Sequence, residues 1–172
     1  MIAFDTSIIS LVIDDSRSGL TYPATEKPVE RPGDRVRHLL SSLAKDKKKV
    51  LLPAPVISEL LVHSEEKAEE LFRHLYSKNI LRIAAFNRRA AIEMARAIRE
   101  KMERNGGISR AYSEANIARS KFKLDYQIVA IAVTQGAEVI YSQDRHLNNH
   151  SKRCGLEVRT ITDIELPPSD IR

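Results

Sequence analysis

The chain opens with the stretch Met1-Ile2-Ala3-Phe4-Asp5-Thr6-Ser7, in which a short apolar run ends in an acid and two hydroxyl side chains. Four apolar residues followed at once by polar ones are typical of a buried strand. Residues 6–13 are rich in isoleucine, leucine and valine and predict a short helix packed on the sheet. Asp5 is therefore expected where the first strand ends and the first helix begins.

Strand and helix patterns alternate along the rest of the chain. Apolar runs predict further strands at residues 50–52, 80–86, 138–142 and 156–159. Apolar periodicity and helix-start signals predict helices at residues 34–47, 56–62, 65–78, 87–104, 113–135 and 144–153. Asp34 and Asn87 are expected to cap two of these helices. Strands that alternate with helices predict an α/β fold with a mostly parallel sheet.

The length of 172 residues suits a single domain, residues 1–172, with a core of its own. No apolar run reaches the roughly 18 residues that a membrane span needs. Cys154 is the one cysteine, which fits a reducing compartment, so we expect a cytoplasmic protein that does not enter a membrane. Residues 14–33 contain glycines and prolines without periodicity and predict a long loop, either a binding element or a disordered segment.

Four acids stand where a parallel sheet builds its ligand site. Asp5 ends the first strand, and Glu59 follows the second strand in a segment that turns into a helix. Asp125 opens an apolar helical pattern, and Asp144 comes shortly after a later strand. Ligands of such sheets bind beyond the carboxyl ends of the strands. Converging carboxylates repel each other unless a cation or proton compensates them, and Mg²⁺ or Mn²⁺ is the natural compensator because it prefers oxygen ligands.

Each acid has a simpler interpretation when it is taken alone. Asp5 could cap the following helix, and Asp125 and Asp144 could be ordinary acids at helix starts. Asp5 could also be the nucleophile of a phosphatase of the haloacid-dehalogenase type, but that chemistry wants a second acid two residues later, where Ser7 stands. The order of all four acids along one predicted sheet favours a shared site.

Glu59 is the acid that is hardest to explain as a surface residue. Its helix, residues 56–62, is nearly all apolar, and a carboxylate on such a helix needs a partner. The alternative is an exposed pair with His63, one turn further on. The narrow polar stripe of this helix favours a role in the site.

The net charge of +5 is concentrated in residues 82–123, where lysines and arginines far outnumber the glutamates. A basic region beside an acidic site suggests that a polyanion is held near a metal. The alternative, that these charges only solvate a helix face, stays open from composition alone.

Four segments of the chain, in their order and spacing, resemble the PIN-domain nucleases. They are Asp5-Thr6-Ser7, Pro55-Val56-Ile57-Ser58-Glu59-Leu60, residues 125–136, and Val139-Ile140-Tyr141-Ser142-Gln143-Asp144. The resemblance is greatest to the VapC-like toxins of toxin–antitoxin pairs, and it spans residues 1–166.

The resemblance implies a PIN-like three-layer α/β/α fold, with a parallel sheet sandwiched by helices. It implies a metal-dependent endoribonuclease in which Mg²⁺ or Mn²⁺ is held by Asp5, Glu59, Asp125 and Asp144. Thr6, Ser7 and Ser142 would be hydroxyl helpers. The backbone of RNA would be held by the basic residues Arg110, Arg119, Lys121 and Lys123.

The resemblance also implies partners and leaves alternatives. We expect RNA as substrate, an antitoxin protein as partner, and a homodimer. Many PIN nucleases carry a further acid just after the position of Asp144, where this chain has Arg145-His146, so the number of metal ions stays open between one and two. The alternative functions are a PIN-like binding module with little or no catalysis and a metal-dependent phosphatase.

Overall fold

The computed structural model describes residues 1–14, 19–105 and 119–168 of the chain. The described strands are β1 (Ile2–Phe4), β2 (Val50–Pro53), β3 (Leu81–Ala84), β4 (Val139–Tyr141) and β5 (Glu157–Arg159). The described helices are α1 (Thr6–Ile13), α2 (Pro32–Lys45), α3 (Ala54–Ser77), α4 (Arg88–Asn105), α5 (Arg119–Thr134) and α6 (Arg145–Arg153), and a 3₁₀ turn follows at Ile161–Asp163.

The five strands form one parallel sheet in the order β3-β2-β1-β4-β5. Strand β1 lies at its centre, where Ile2 pairs with Val50 on one side and with Val139 on the other. Helix α1 packs against α2 and α3, and α5 packs against α4 and α6. The predicted α/β fold, with a parallel sheet sandwiched by helices, is confirmed.

The core consists of the strands and the apolar faces of the helices that cover them. Phe4, Leu51, Leu52 and Ile140 are fully buried, which explains why short apolar runs mark the strands so clearly. A smaller apolar cluster of Ala97, Phe122 and Tyr126 joins α4 to α5. This second cluster fixes the helix on which Asp125 stands.

The helix boundaries agree with the sequence in most places and differ at α2. Asn87 caps α4 as predicted, because its Oδ1 accepts a hydrogen bond of 3.1 Å from the N–H of Ala90. The predicted cap at Asp34 is wrong: α2 begins at Pro32, whose fixed φ suits a first helical turn. Asp34 lies inside that turn and pairs with Arg31 and Arg37.

Two further predictions concern the middle of the chain. The two helices expected at 56–62 and 65–78 are the two arms of α3, which has non-helical angles at Ser64 (φ −166°, ψ 74°). The helix start expected at Ser113 lies outside the described residues. No helix in the part of the chain that the structure describes is long and apolar enough to cross a membrane.

Candidate active site

The four predicted acids line one cavity of about 320 Å³ at the carboxyl edge of the sheet. Asp5 follows β1 directly and Asp144 follows β4 by three residues. Glu59 stands near the start of α3, which continues from β2, and Asp125 stands on α5. The parallel arrangement of β1, β2 and β4 brings their carboxyl ends to one edge, so the acids meet although they are far apart in the sequence.

Asp5 is held by two hydroxyl groups. Its Oδ2 accepts hydrogen bonds of 2.8 Å from the Oγ atoms of Ser7 and Ser142. These hydroxyls in turn accept 2.9 Å bonds from the backbone N–H groups of Gln143 and Asp144 respectively. The Asp5 side chain accepts no hydrogen bond from the backbone N–H groups at the start of α1, so it is not a side-chain cap, and it lines the cavity.

Glu59 is joined to the start of α1 by a third hydroxyl. The Oγ1 of Thr6 donates a hydrogen bond to Oε2 of Glu59. Both residues line the acidic cavity, and Glu59 is half-buried. Among the described residues Glu59 makes no ion pair with His63, whose side chain is exposed. The structure therefore directs Glu59 to the cavity and not to a surface pair.

Asp125 is the most isolated of the four acids. It is only 6% exposed, and its buried Oδ2 has no hydrogen-bond partner among the described residues. Burial raises the pKa of Asp125 to about 7; the Lys121 ammonium opposes this, while Asp144, Asp5 and Glu59 add to it. A buried carboxylate oxygen without a partner is costly, so this atom is one that a cation or a proton would stabilise.

Both carboxylate oxygens of Asp144 are engaged in hydrogen bonds. Its Oδ1 accepts hydrogen bonds from the N–H groups of His146 (2.8 Å) and Leu147 (3.0 Å), so it caps α6. Its Oδ2 accepts a 2.5 Å hydrogen bond from Nζ of Lys121. Burial alone would raise the pKa of Asp144, but the bonds from Lys121 and from the backbone outweigh it and lower that pKa.

Lys121 is the residue whose role the sequence did not reveal. Its Nζ bridges two acids, at 2.5 Å from Oδ2 of Asp144 and 3.9 Å from Oδ1 of Asp125. Burial would lower the pKa of Lys121, but the bond to Asp144 and the charges of Asp125 and Asp144 raise it overall. The spacing of Lys121 and Asp125, four residues apart on one helix, is the signal that could have predicted half of this bridge.

Of the other three basic residues predicted to bind RNA, only Lys123 has a described side chain. Lys123 is exposed on α5. Arg110 lies outside the described residues, and of Arg119 only the backbone belongs to them. Whether these side chains hold RNA stays a prediction.

The donor atoms of the cavity suit a hard cation, since they are carboxylate and hydroxyl oxygens and include the partnerless Oδ2 of Asp125. Nevertheless, within residues 1–14, 19–105 and 119–168, no three acidic, histidine or cysteine side chains are gathered closely enough to form a complete metal site. Lys121 meanwhile supplies Asp144 with a counter-charge of the protein's own.

A larger cleft of about 780 Å³ lies away from these acids, among α1, α2 and α3. Its walls combine apolar side chains such as Leu40 and Leu71 with basic ones such as Arg37 and Lys67. Glu70 carries the one carboxylate among its described lining residues. The larger cleft thus lacks converging acids among its described lining residues. The smaller cavity has four of them, and it is therefore the candidate site.

Solved structures share the fold. A chain in the structure of VapBC2 from Rickettsia felis bound to a promoter DNA fragment is 19% identical, with a TM-score of 0.55 over 93% of this chain and 98% of that chain. A chain of FitAB bound to an IR36 DNA fragment is 20% identical, with a TM-score of 0.58 over 98% and 100%. A chain of DNA-bound VapBC from Salmonella typhimurium is 15% identical, with a TM-score of 0.54 over 93% and 97%.

No protein-family model and no curated protein matches the chain. At identities of 15–20% the similarity to the solved structures establishes the fold alone. The PIN-like three-layer architecture expected from the sequence resemblance is thereby confirmed.

Proposed function

We propose that the protein is a metal-dependent endoribonuclease and the toxin component of a toxin–antitoxin pair. The observation that carries this proposal is the acidic cavity at the carboxyl edge of the sheet, where Asp125 presents a buried oxygen without a partner. The similarity of the fold to chains of VapBC and FitAB supports it.

The contacts that each cavity residue makes indicate its role in the proposed reaction. Asp5, Glu59 and Asp125, which line the cavity together without yet forming a complete ligand set among the described residues, would hold Mg²⁺ or Mn²⁺. When bound, such an ion polarises a phosphodiester and lowers the pKa of a water molecule. The hydroxyls of Ser7 and Ser142 fix the carboxylate of Asp5 through Oδ2. They are themselves fixed by backbone N–H groups, so Asp5 is oriented before any ligand arrives, which avoids reorganisation during the reaction.

Thr6 plays the same part for Glu59, because its hydroxyl holds one of the two carboxylate oxygens. Glu59 would bind the ion or orient the attacking water with the other. Asp144 contributes negative charge to the cavity while its own oxygens are held by Lys121 and by α6.

RNA is proposed as the substrate because several basic residues precede Asp125 in the sequence. The basic residues before Asp125, including Arg110, Arg119 and Lys123, would hold the RNA backbone beside the acids, with an affinity that falls as salt rises. Lys121, which was expected to belong to this group, is engaged with the acids in the structure.

The partner is proposed on the comparisons. The similar chains come from structures of VapBC and FitAB bound to DNA, and we extend to this chain an antitoxin as binding partner. The homodimer and the cytoplasmic location expected from the sequence stay predictions.

The proposal is tested with purified protein and a labelled RNA in the presence of Mn²⁺, Mg²⁺ or EDTA. Wild type should cut the RNA only with metal, and Asp5→Asn and Asp125→Asn should each lower the rate about 100-fold or more, since loss of a metal ligand removes several kcal/mol of transition-state stabilisation. Asp46→Asn, which alters an exposed acid paired with Lys48 at the surface, is the matched control and should cut like wild type.

Three outcomes separate the function classes. Cleavage that persists unchanged in both site variants would refute the site. RNA binding without cleavage in any metal would favour the binding module. Hydrolysis of a small phosphate ester without cleavage of RNA would favour the phosphatase.

A further inference from the structure

The acidic cavity already contains a positive charge that belongs to the chain. Among the described residues that line it, Lys121 is the only basic one. Its side chain is 47% exposed, so it is not driven into this position by burial. The acids attract it there, and the cavity is thus partly neutralised before any external cation binds.

The four acids differ in how closely they contact Lys121. Asp144 is engaged at both oxygens: one caps α6 and the other accepts the ammonium. Asp125 lies at the border, with Oδ1 at 3.9 Å from the ammonium and Oδ2 buried without a partner. Asp5 and Glu59 are bound by hydroxyl groups and make no hydrogen bond or ion pair with Lys121 within the described part of the chain.

The position of Lys121 is fixed by the helix that carries it. It stands one turn before Asp125 on α5, so its stem starts beside one acid and its head reaches across to the other. Helix α5 is itself anchored to α4, because Phe122 and Tyr126 pack in one buried cluster with Ala97. A charge held this way stays in the cavity without an external ligand.

We propose that Lys121 takes the place of one divalent cation, so that the site binds a single Mg²⁺ or Mn²⁺ ion on the side of Asp5, Glu59 and Asp125. This inference rests on the metal-binding part of the proposed function. It assigns Lys121 to the charge balance of the site instead of to the RNA backbone. It also predicts that the ammonium and a second divalent ion compete for Asp144.

The test is the number of Mn²⁺ ions bound, measured by isothermal titration calorimetry and by native mass spectrometry. Wild type should bind one ion. Lys121→Met, which keeps the apolar stem and removes the charge, should bind two. Lys121→Arg, which keeps the charge, should bind one, as should Lys152→Met, the matched loss of an exposed lysine outside the cavity.

Thermal unfolding gives a second measurement on the same proteins. Without metal, Lys121→Met should melt below wild type, because Asp144 and Asp125 lose their counter-charge. Saturating Mn²⁺ should raise its melting temperature by more than that of wild type, because ligand binding stabilises the native state. The arginine variant should follow wild type in both respects.

Equal numbers of bound Mn²⁺ in wild type and Lys121→Met would overturn the inference, whatever the RNase assay shows. A different result is one bound ion in wild type, two in Lys121→Met, and no cleavage of RNA. That result would sustain the inference and refute the proposed nuclease. The two failures are therefore distinguishable.

Discussion

Replacing Asp125 with asparagine should make the metal-free protein more stable at neutral and alkaline pH. Burial raises the pKa of Asp125 from 3.8 to about 7, so the native state resists its ionisation while the unfolded chain does not. When folding raises the pKa of a carboxyl group, the protein loses stability as pH rises from the pKa of the unfolded state to the pKa of the folded state. Wild type should therefore lose this contribution between about pH 4 and pH 7, and Asp125→Asn should not.

The size of the effect follows from the same pKa. Moving a carboxyl pKa from 3.8 to about 7 corresponds to about 4 kcal/mol above pH 7, at about 1.36 kcal/mol for each tenfold change in protonation equilibrium. The neighbouring acids titrate together with Asp125, so we expect a measured gain of about 2–4 kcal/mol at pH 8. Near pH 4 the gain should vanish, because the carboxyl group is then protonated in the native state.

The assay is urea unfolding in EDTA at several pH values between 4 and 8, with wild type, Asp125→Asn and the surface control Asp46→Asn. The quantity of interest is the difference in unfolding free energy between variant and wild type, because other titrating groups cancel in it. This difference should rise with pH for Asp125→Asn and stay near zero for Asp46→Asn. A difference that does not change with pH, or a variant less stable than wild type at pH 8, would refute the reasoning.

Three other predictions follow from separate contacts. Burial lowers the pKa of His150 to about 3, so wild type should lose stability as pH falls from about 6.5 towards 3, and His150→Phe should show a weaker loss in thermal melts. Lys123→Ala should flatten the slope of log K against log salt for RNA binding by about 0.7, whereas Lys121→Ala should leave that slope unchanged. Glu59→Gln should reduce turnover more than RNA affinity in single-turnover and binding assays, since it acts on the ion or the water; equal losses would mean a structural role.

The sequence was sufficient to predict the sheet and to choose the acids. Strands β1, β2 and β4 are largely buried, so each appears as a short apolar run, and the order of Asp5 and Asp144 after two such runs identified one edge of the sheet. These features depend on residues that are neighbours in the sequence, so short sequence patterns predict them. The roles of the acids stay predictions until the variants are measured.

The parts that the sequence could not predict depend on contacts between distant residues. Lys121 and Asp144 are 23 positions apart on different helices, and only the packing of α5 against α6 brings them to 2.5 Å. Arg35 is buried because its guanidinium donates to the carbonyl of Ile164, which lies 129 positions further on. The predicted start of α2 was wrong because Asp34 and Pro32 are both good helix-start signals, and the helix begins at Pro32.

The double engagement of Asp144 makes the first turn of α6 a reporter on the cavity. The amide protons of His146 and Leu147 are protected from solvent by the same carboxylate that binds Lys121. Any ligand that turns this carboxylate away from α6 releases them, and their exchange with deuterium accelerates. Two backbone amides would then record whether a ligand has engaged Asp144, even in a protein that turns over no substrate.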